Sequence, residues 1–368
     1  MLLDLGRPTV MTALMPSVHN GITTFFTLFK LARTRPSSAD TRIKPGFAIM
    51  GFLYSQFLVT PPYPKQSFAD QTVIVTGSNV GLGLEAARHL VRLGAEKVIL
   101  AVRNVAAGED AKKSIESSTG RPGVCEVWEV DLASYKSVLA FGERAAKLPR
   151  LDNAILNAAL LTSEFQTAEG LERSITVNVV STLLLGLLLL RKLKATRREV
   201  PSSEPKLSFV VSEVHAWVKF PEWKEDRILA TISDPTNAKM NERYMLSKLL
   251  EVLLVQELAG RIRGTEVIIN QINPGLCHSQ LGRDAGWQLW LMKAVMARST
   301  EVGSRTLVAG AAAGLESHGT YMTDGCPENT ALSAFVRSDE GRQARQKLWK
   351  EVSGILEGIR PGIMQIVE

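Results

Sequence analysis

Tyr244 and Lys248 stand four residues apart in Tyr244-Met245-Leu246-Ser247-Lys248. On a helix that spacing puts a phenol and an ammonium on one face, one turn apart. The lysine's charge favours the tyrosinate, so the phenol can hand a proton to a developing alkoxide near neutral pH. Far upstream, Thr76-Gly77-Ser78-Asn79-Val80-Gly81-Leu82-Gly83 follows an apolar run and opens a helical pattern. In that context glycines let the backbone approach a pyrophosphate, with N-terminal helix amides facing it. No Gly-Lys-Ser/Thr follows the turn, which disfavours a nucleoside-triphosphate loop. Each motif taken singly is common in a chain of this length, and their combination in this order carries the reading.

The elements that must position these residues are legible as alternating patterns. Val73-Ile74-Val75 predicts a buried strand, residues 82–93 a helix closed by Gly94, and residues 97–103 the next strand. Further strands are predicted at 124–130, 153–157, 207–212 and 267–273, with a last one near Tyr321-Met322-Thr323. Strands alternating with helices imply an α/β fold: a doubly wound, Rossmann-like parallel sheet covered on both faces, with right-handed crossovers. The leucine run at 183–190 lies inside a longer helical pattern, 171–196, and predicts a helix buried against the sheet rather than a membrane span.

With 368 residues, 45% hydrophobic and 22% charged, the chain has the balance of a globular protein with a sizeable core, which excludes disorder throughout. The three cysteines, Cys125, Cys277 and Cys326, are widely spaced and form no metal-ligand pattern, so no metal site is expected and a reducing compartment is. Residues 1–65 hold seven Lys/Arg against two Asp/Glu and so account for most of the net charge of +6. The nearly neutral remainder argues against a nucleic-acid partner. Residues 21–32 have helical apolar spacing, and 33–44 read as a linker. A second apolar run, 47–59, is shorter than the roughly 20 residues that span a bilayer. It reads first as a helix packed on the domain, with a membrane-surface helix as the alternative.

Several phrases together make the chain resemble the short-chain dehydrogenase/reductase family. They are the turn at 76–83, Ala101-Val102-Arg103-Asn104, Ser212-Glu213-Val214-His215, the Tyr244–Lys248 motif and Asn273-Pro274-Gly275-Leu276. More narrowly it is similar to the retinol-dehydrogenase-like members and to reductases that tailor fungal secondary metabolites. The resemblance covers residues 46–368 as a single domain, and leaves 1–45 as a leader, either disordered or a weak targeting segment.

The resemblance implies a role for each matching residue. Tyr244 is the expected general acid/base, Lys248 lowers its proton affinity and bonds the nicotinamide ribose, and Ser212 holds the carbonyl oxygen. Asn178 anchors a proton-relaying water. Gly77, Ser78, Asn79, Gly81, Leu82, Gly83, Arg103, Asp131, Asn157, Pro274 and Gly275 join Tyr244 and Lys248 in binding the cofactor. Chemistry points the same way on cofactor type: Arg103 offers a fork that suits a 2′-phosphate, and no acid lies between residues 98 and 107, so NADP(H) is expected. Two departures stand out: Leu156 replaces the family's first asparagine after the fourth strand, and Ala159 replaces a glycine.

The expected function is reduction (or oxidation) of a carbonyl/alcohol on a hydrophobic small molecule, in the cytoplasm. Trp217, Phe220, Trp223, Trp287 and Trp290 are as ready to line its pocket as to pack in the core. His215 and His278 have no metal-ligand spacing and read as satisfied or solvated histidines. The alternatives are a membrane-associated retinoid or steroid dehydrogenase and a catalytically silent nucleotide-binding protein. The helical patterns at 171–196 and 240–263 resemble those the family uses to form homodimers.

Overall fold

The computed structural model describes residues 45–278, 281 and 297–367. The expected helix at 21–32, Trp287 and Trp290 lie outside the described residues. The chain divides into two compact units, residues 1–59 and 60–368. In the first, helix α1 (Pro45–Leu58) has 14 residues. At 1.5 Å per residue it is about 21 Å long, short of the roughly 30 Å apolar layer of a bilayer.

The second unit is built on an eight-stranded sheet in the order β10-β9-β8-β7-β4-β1-β2-β3. β1 (Thr72–Thr76), β2 (Lys97–Val102), β3 (Cys125–Glu129) and β4 (Asn153–Leu156) pair in parallel, as do β7 (Lys206–Val210), β8 (Ile268–Asn273) and β9 (Tyr321–Thr323). Only β10 (Cys326–Pro327) runs antiparallel, against β9. Every strand expected from the sequence is present. β10 and a two-residue hairpin, β5 (Thr167–Ala168) with β6 (Leu171–Glu172), are additions too short to leave a periodic signal.

All five residues of β1 are buried, as a parallel strand covered on both faces requires. Alternation splits them between two cores. Val73 and Val75 pack with Ala86, Leu90, Leu307 and Val308 of α2 (Gly81–Arg92) and a later helix (Thr300–Ala312). Ile74 faces Leu184, Leu187 and Leu188 on the other side. Those leucines belong to the continuous helix Arg173–Glu199, the one described helix long and apolar enough to cross a membrane. Since 94% of its most apolar window is buried in the protein, it serves as a core helix here.

Helix Met240–Arg261 carries the Tyr244–Lys248 motif and packs beside it. The C-terminal helix Asp339–Ile359 lies on Met240–Arg261, where Arg345 pairs with Glu257 and Arg261 stacks over Trp349.

Candidate active site

β1 sits between β4 and β2, so consecutive strands depart to opposite sides of it. In an open α/β sheet that switch point leaves a crevice outside the carboxyl ends of the strands. The glycine turn occupies this place. Gly77 has φ +65° and Gly81 φ +64°, left-handed values that favour glycine. Gly77 N–H donates to Ala101 O at 2.8 Å, tying the turn to β2. Val80 precedes α2 and offers no side-chain cap, so the first amides of the helix are left for an anionic ligand.

Asn157 holds the turn from the next strand. Its Nδ2 donates to Thr76 O at 2.9 Å and Gly77 O at 3.3 Å, while Thr76 Oγ1 accepts from the Asn157 and Ala158 amides, both at 2.9 Å. Asn157 therefore acts on the cradle's shape. Ser78 does likewise: its fully buried hydroxyl donates to Val75 O at 2.8 Å. The two departures from the family pattern are absorbed locally. Leu156 is buried in the main core. Among the described residues, the non-glycine residues with positive φ are Asp70, Glu169 and Asp324, and Ala159 is not one of them.

Arg103 is exposed just past the end of β2, and Asn104 caps the helix that follows. Asp131 is half-buried just past β3, with Oδ1 accepting from Ala133 N at 2.9 Å. At the end of β8, Asn273 Oδ1 accepts from Gly275 N at 3.1 Å, and Gly275 takes φ +74°. Nδ2 of the same asparagine donates to Glu213 Oε2 at 3.2 Å and so braces the loop against the residue after Ser212.

Ser212 lies two residues beyond β7 and caps the 3-10 turn Glu213–Trp217, accepting weakly from Val214 N at 3.4 Å. His215, buried in that turn, accepts at Nε2 from the Ser333 amide, 3.2 Å away. An amide can only donate, so the imidazole proton sits on Nδ1 and is given to Ser212 O at 2.7 Å. Burial pushes this imidazole down to about 4. It is the satisfied histidine that was expected, and it fixes the backbone under Ser212. Glu213 is half-buried, and desolvation of its carboxyl pushes it up to about 7, with the Asn273 hydrogen bond and Arg298 opposing.

Helix Met240–Arg261 packs on this turn. Lys248 is buried, its Nζ donating to Val210 O at 2.8 Å and to Glu251 Oε2 at 2.7 Å. Nζ lies 5.9 Å from the centre of the Tyr244 ring. Burial raises the Tyr244 phenol; Lys248 lowers it, in the direction its spacing implied, and the carboxylates of Glu251 and Glu213 add to the rise. Glu251 escaped the sequence reading, although its i+3 spacing from Lys248 was a usable signal.

Asn178 sits in a π-helical turn, Thr176–Ser181, inside the long core helix. Such wide turns recur at functional sites. Its Oδ1 accepts from Leu160 N at 2.7 Å, and Nδ2 donates to Leu160 O and to Ser247 Oγ, both at 2.9 Å. Ser247 Oγ donates onward to Tyr244 O at 2.8 Å. Hydrogen bonds thus tie Asn178 through Ser247 to the backbone carbonyl of Tyr244, and separately tie Lys248 to the strand end before Ser212.

The 31 residues between Ser212 and Tyr244 form two 3-10 turns and a short helix, Ile228–Ile232. Glu351 of the C-terminal helix accepts the Ile228 and Leu229 amides at 2.8 and 2.9 Å, a brace that the sequence reading also missed. Of the aromatics, Phe220 is core, edge-on to Phe335, and Trp223 is half-buried against the core. Trp217, 40% exposed, stands at the surface five residues past Ser212. His278 is exposed.

Known proteins resemble this chain over the same residues. The family described as short chain dehydrogenase matches residues 71–199. The short-chain dehydrogenase anuD of Penicillium roqueforti is 43% identical over 355 residues, 93% of this chain and 92% of that protein. A short chain dehydrogenase/reductase of Cryptosporiopsis sp. is 46% identical over 323 residues, 85% of this chain and 99% of its own. The solved structure of an NADPH-bound carbonyl reductase from chicken fatty liver has a TM-score of 0.52 at 18% identity, covering 71% of this chain and 99% of that one, and so shares the fold. Identity of 43–46% over most of both chains places the family beyond doubt: the protein belongs to the short-chain dehydrogenase/reductase family of oxidoreductases.

Proposed function

We propose that the protein is an NADP(H)-dependent carbonyl reductase acting on a hydrophobic small molecule, in a tailoring step of fungal secondary metabolism. The observation that carries this reading is that one helix presents Tyr244 and Lys248, with Lys248 Nζ bonded to Val210 O at the strand end that leads into Ser212 and with Asn178 bonded through Ser247 to the Tyr244 backbone. The cradle fits a dinucleotide: left-handed Gly77 and Gly81, the close-packed Gly83 and the uncapped start of α2 suit a pyrophosphate. Backbone amides of Ser78, Asn79 and Leu82 would face it, Asp131 the adenine, and Pro274-Gly275 the nicotinamide side. Exposed Arg103 would take the 2′-phosphate.

When bound, the reduced nicotinamide supplies a hydride to the carbonyl carbon. Ser212 donates a hydrogen bond to the carbonyl oxygen and Tyr244 delivers its proton there. Lys248 has two of its three N–H donors held by Val210 and Glu251; the third points the choice towards a ribose hydroxyl. Exposed Trp217, five residues past Ser212, supports an apolar substrate. A cytoplasmic enzyme fits the cysteine usage. A homodimer would have to use a face of helix Met240–Arg261 other than the one the C-terminal helix covers. The silent-protein alternative loses its support, since Leu156 and Ala159 are accommodated without strain.

The test is to follow NADPH absorbance with a panel of aromatic ketones, aldehydes and retinal. Turnover is expected on at least one apolar carbonyl. Tyr244→Phe should lower kcat by about 10²- to 10⁴-fold while NADPH still binds. Retained activity in that variant would remove the proton-donor assignment.

A further inference from the structure

Lys248 and Glu251 form an ion pair inside the protein, with side chains 3% and 5% exposed and an Nζ–Oε2 distance of 2.7 Å. Two unit charges are rarely taken out of water without a use or a network. Here the network is short. Lys248 has Val210 O as its second partner, and among the described residues no other cation faces Glu251. A family lysine needs only its own charge to assist the tyrosine, so a carboxylate one turn further on works against it.

We propose that Glu251 is a positioning residue that holds the Lys248 ammonium in place and keeps the Tyr244–Lys248 pair fully protonated, which biases the site towards giving a proton and hence towards carbonyl reduction. The proposal rests on the reading of Tyr244 as the proton donor. In that step the phenol O–H bond breaks as the new alcohol O–H bond forms, and water later returns a proton to the tyrosinate. Oxidation needs the opposite starting state, with the pair one proton short. A carboxylate beside the pair stabilises the first state at the expense of the second.

Among the described residues, the charges facing the pair are few. On its own helix there is Glu251; on the packed 3-10 turn there is Glu213, which acts on Tyr244 in the same sense. His215 in that turn is neutral, held between Ser212 and Ser333. From the π-helical turn Asn178 is uncharged. Arg345 of the C-terminal helix is engaged by Glu257, and Arg243 is beside Glu172.

Removing the negative charge of Glu251 lowers the proton affinity of every group it faces. The first proton of the coupled pair then leaves at lower pH, whichever partner gives it up. The experiment is kcat/KM for NADPH-dependent reduction against pH, using a carbonyl that the wild type turns over, for wild type and Glu251→Gln. The alkaline limb should move down by about one pH unit or more. Glu251→Asp, with its carboxylate set further from Nζ, should move it in the same direction by less, and serves if the Gln variant does not fold. A second reading needs no turnover: tyrosinate absorbance of the NADPH complex, taken as the difference from Tyr244→Phe, should titrate at lower pH in Glu251→Gln.

Superimposable limbs and titrations in an enzyme silenced by Tyr244→Phe would overturn the Glu251 proposal alone. An active Tyr244→Phe would overturn the proton-donor reading and this proposal with it.

Discussion

Gly83 packs so closely on Gly77 that a Cβ at residue 83 would lie 2.4 Å from the Gly77 carbonyl oxygen and 2.7 Å from Asn157 Nδ2. The obstacle is backbone held by Asn157, so it cannot swing aside as a flexible side chain would. The turn, the chain at Asn157 just past β4 and the first turn of α2 therefore share one fixed shape.

Gly83→Ala should accordingly displace the cradle. Overpacking of this kind costs about 1–3 kcal/mol, read as a lower denaturation midpoint. NADPH should stabilise the variant less than the wild type in thermal melts, because the amides at the start of α2 move with the turn. An unchanged NADPH-induced shift would show that the turn does not bind the nucleotide.

Arg103 is the cation placed for a 2′-phosphate, with no acid between residues 98 and 107 to bind a free ribose diol. Hydrogen bonds to charged groups are worth about 1.5–3 kcal/mol. Arg103→Glu should therefore raise the KM for NADPH by at least about tenfold and leave that for NADH level or lower. Parallel titrations with the two cofactors measure it, and equal effects on both would refute the assignment.

His215 and Glu213 give stability opposite pH dependences. The folded imidazole is held at about 4 against an ordinary 6.5, so between those values the unfolded chain binds the proton more readily. Its contribution is present above pH 6.5 and lost as pH falls towards 4. The Glu213 carboxyl is held at about 7 against an ordinary 4.5, so its contribution is present at low pH and lost as pH rises through 7. Each is on the order of 3 kcal/mol, and in the window from pH 4.5 to 6.5 they offset. His215→Gln keeps a donor and an acceptor but does not titrate. Its urea-derived stability should fall as pH rises across that window, while the wild type stays flatter. Parallel pH curves for the two proteins would contradict the account.

Much of the fold was legible because its signals are local. The apolar run Val73-Ile74-Val75 marks β1, one residue short of it at each end, and the helix expected at 82–93 is α2, one residue out at each end. The leucine run at 183–190 reads as interior because it is short and sits inside a longer helical pattern. Other features left no such trace. The π-helical turn around Asn178 depends on the loop after β4 arriving to be bonded at Leu160. The brace from Glu351 to Ile228 and Leu229 joins residues more than 120 positions apart.

Residue types and spacing alone determined the alternating strands and helices, the glycine turn between β1 and α2, and the phenol–ammonium pair one helical turn apart. These follow from backbone sterics and side-chain periodicity, which act over a few residues. Tertiary packing decided the electrostatic state of that pair. Burial removed the water that would have screened Lys248 and Glu251, and so let desolvation, together with the carboxylates of Glu251 and Glu213, outweigh the lysine that the spacing had placed beside Tyr244. Charge strength depends on what surrounds it, and only the folded chain supplies those surroundings.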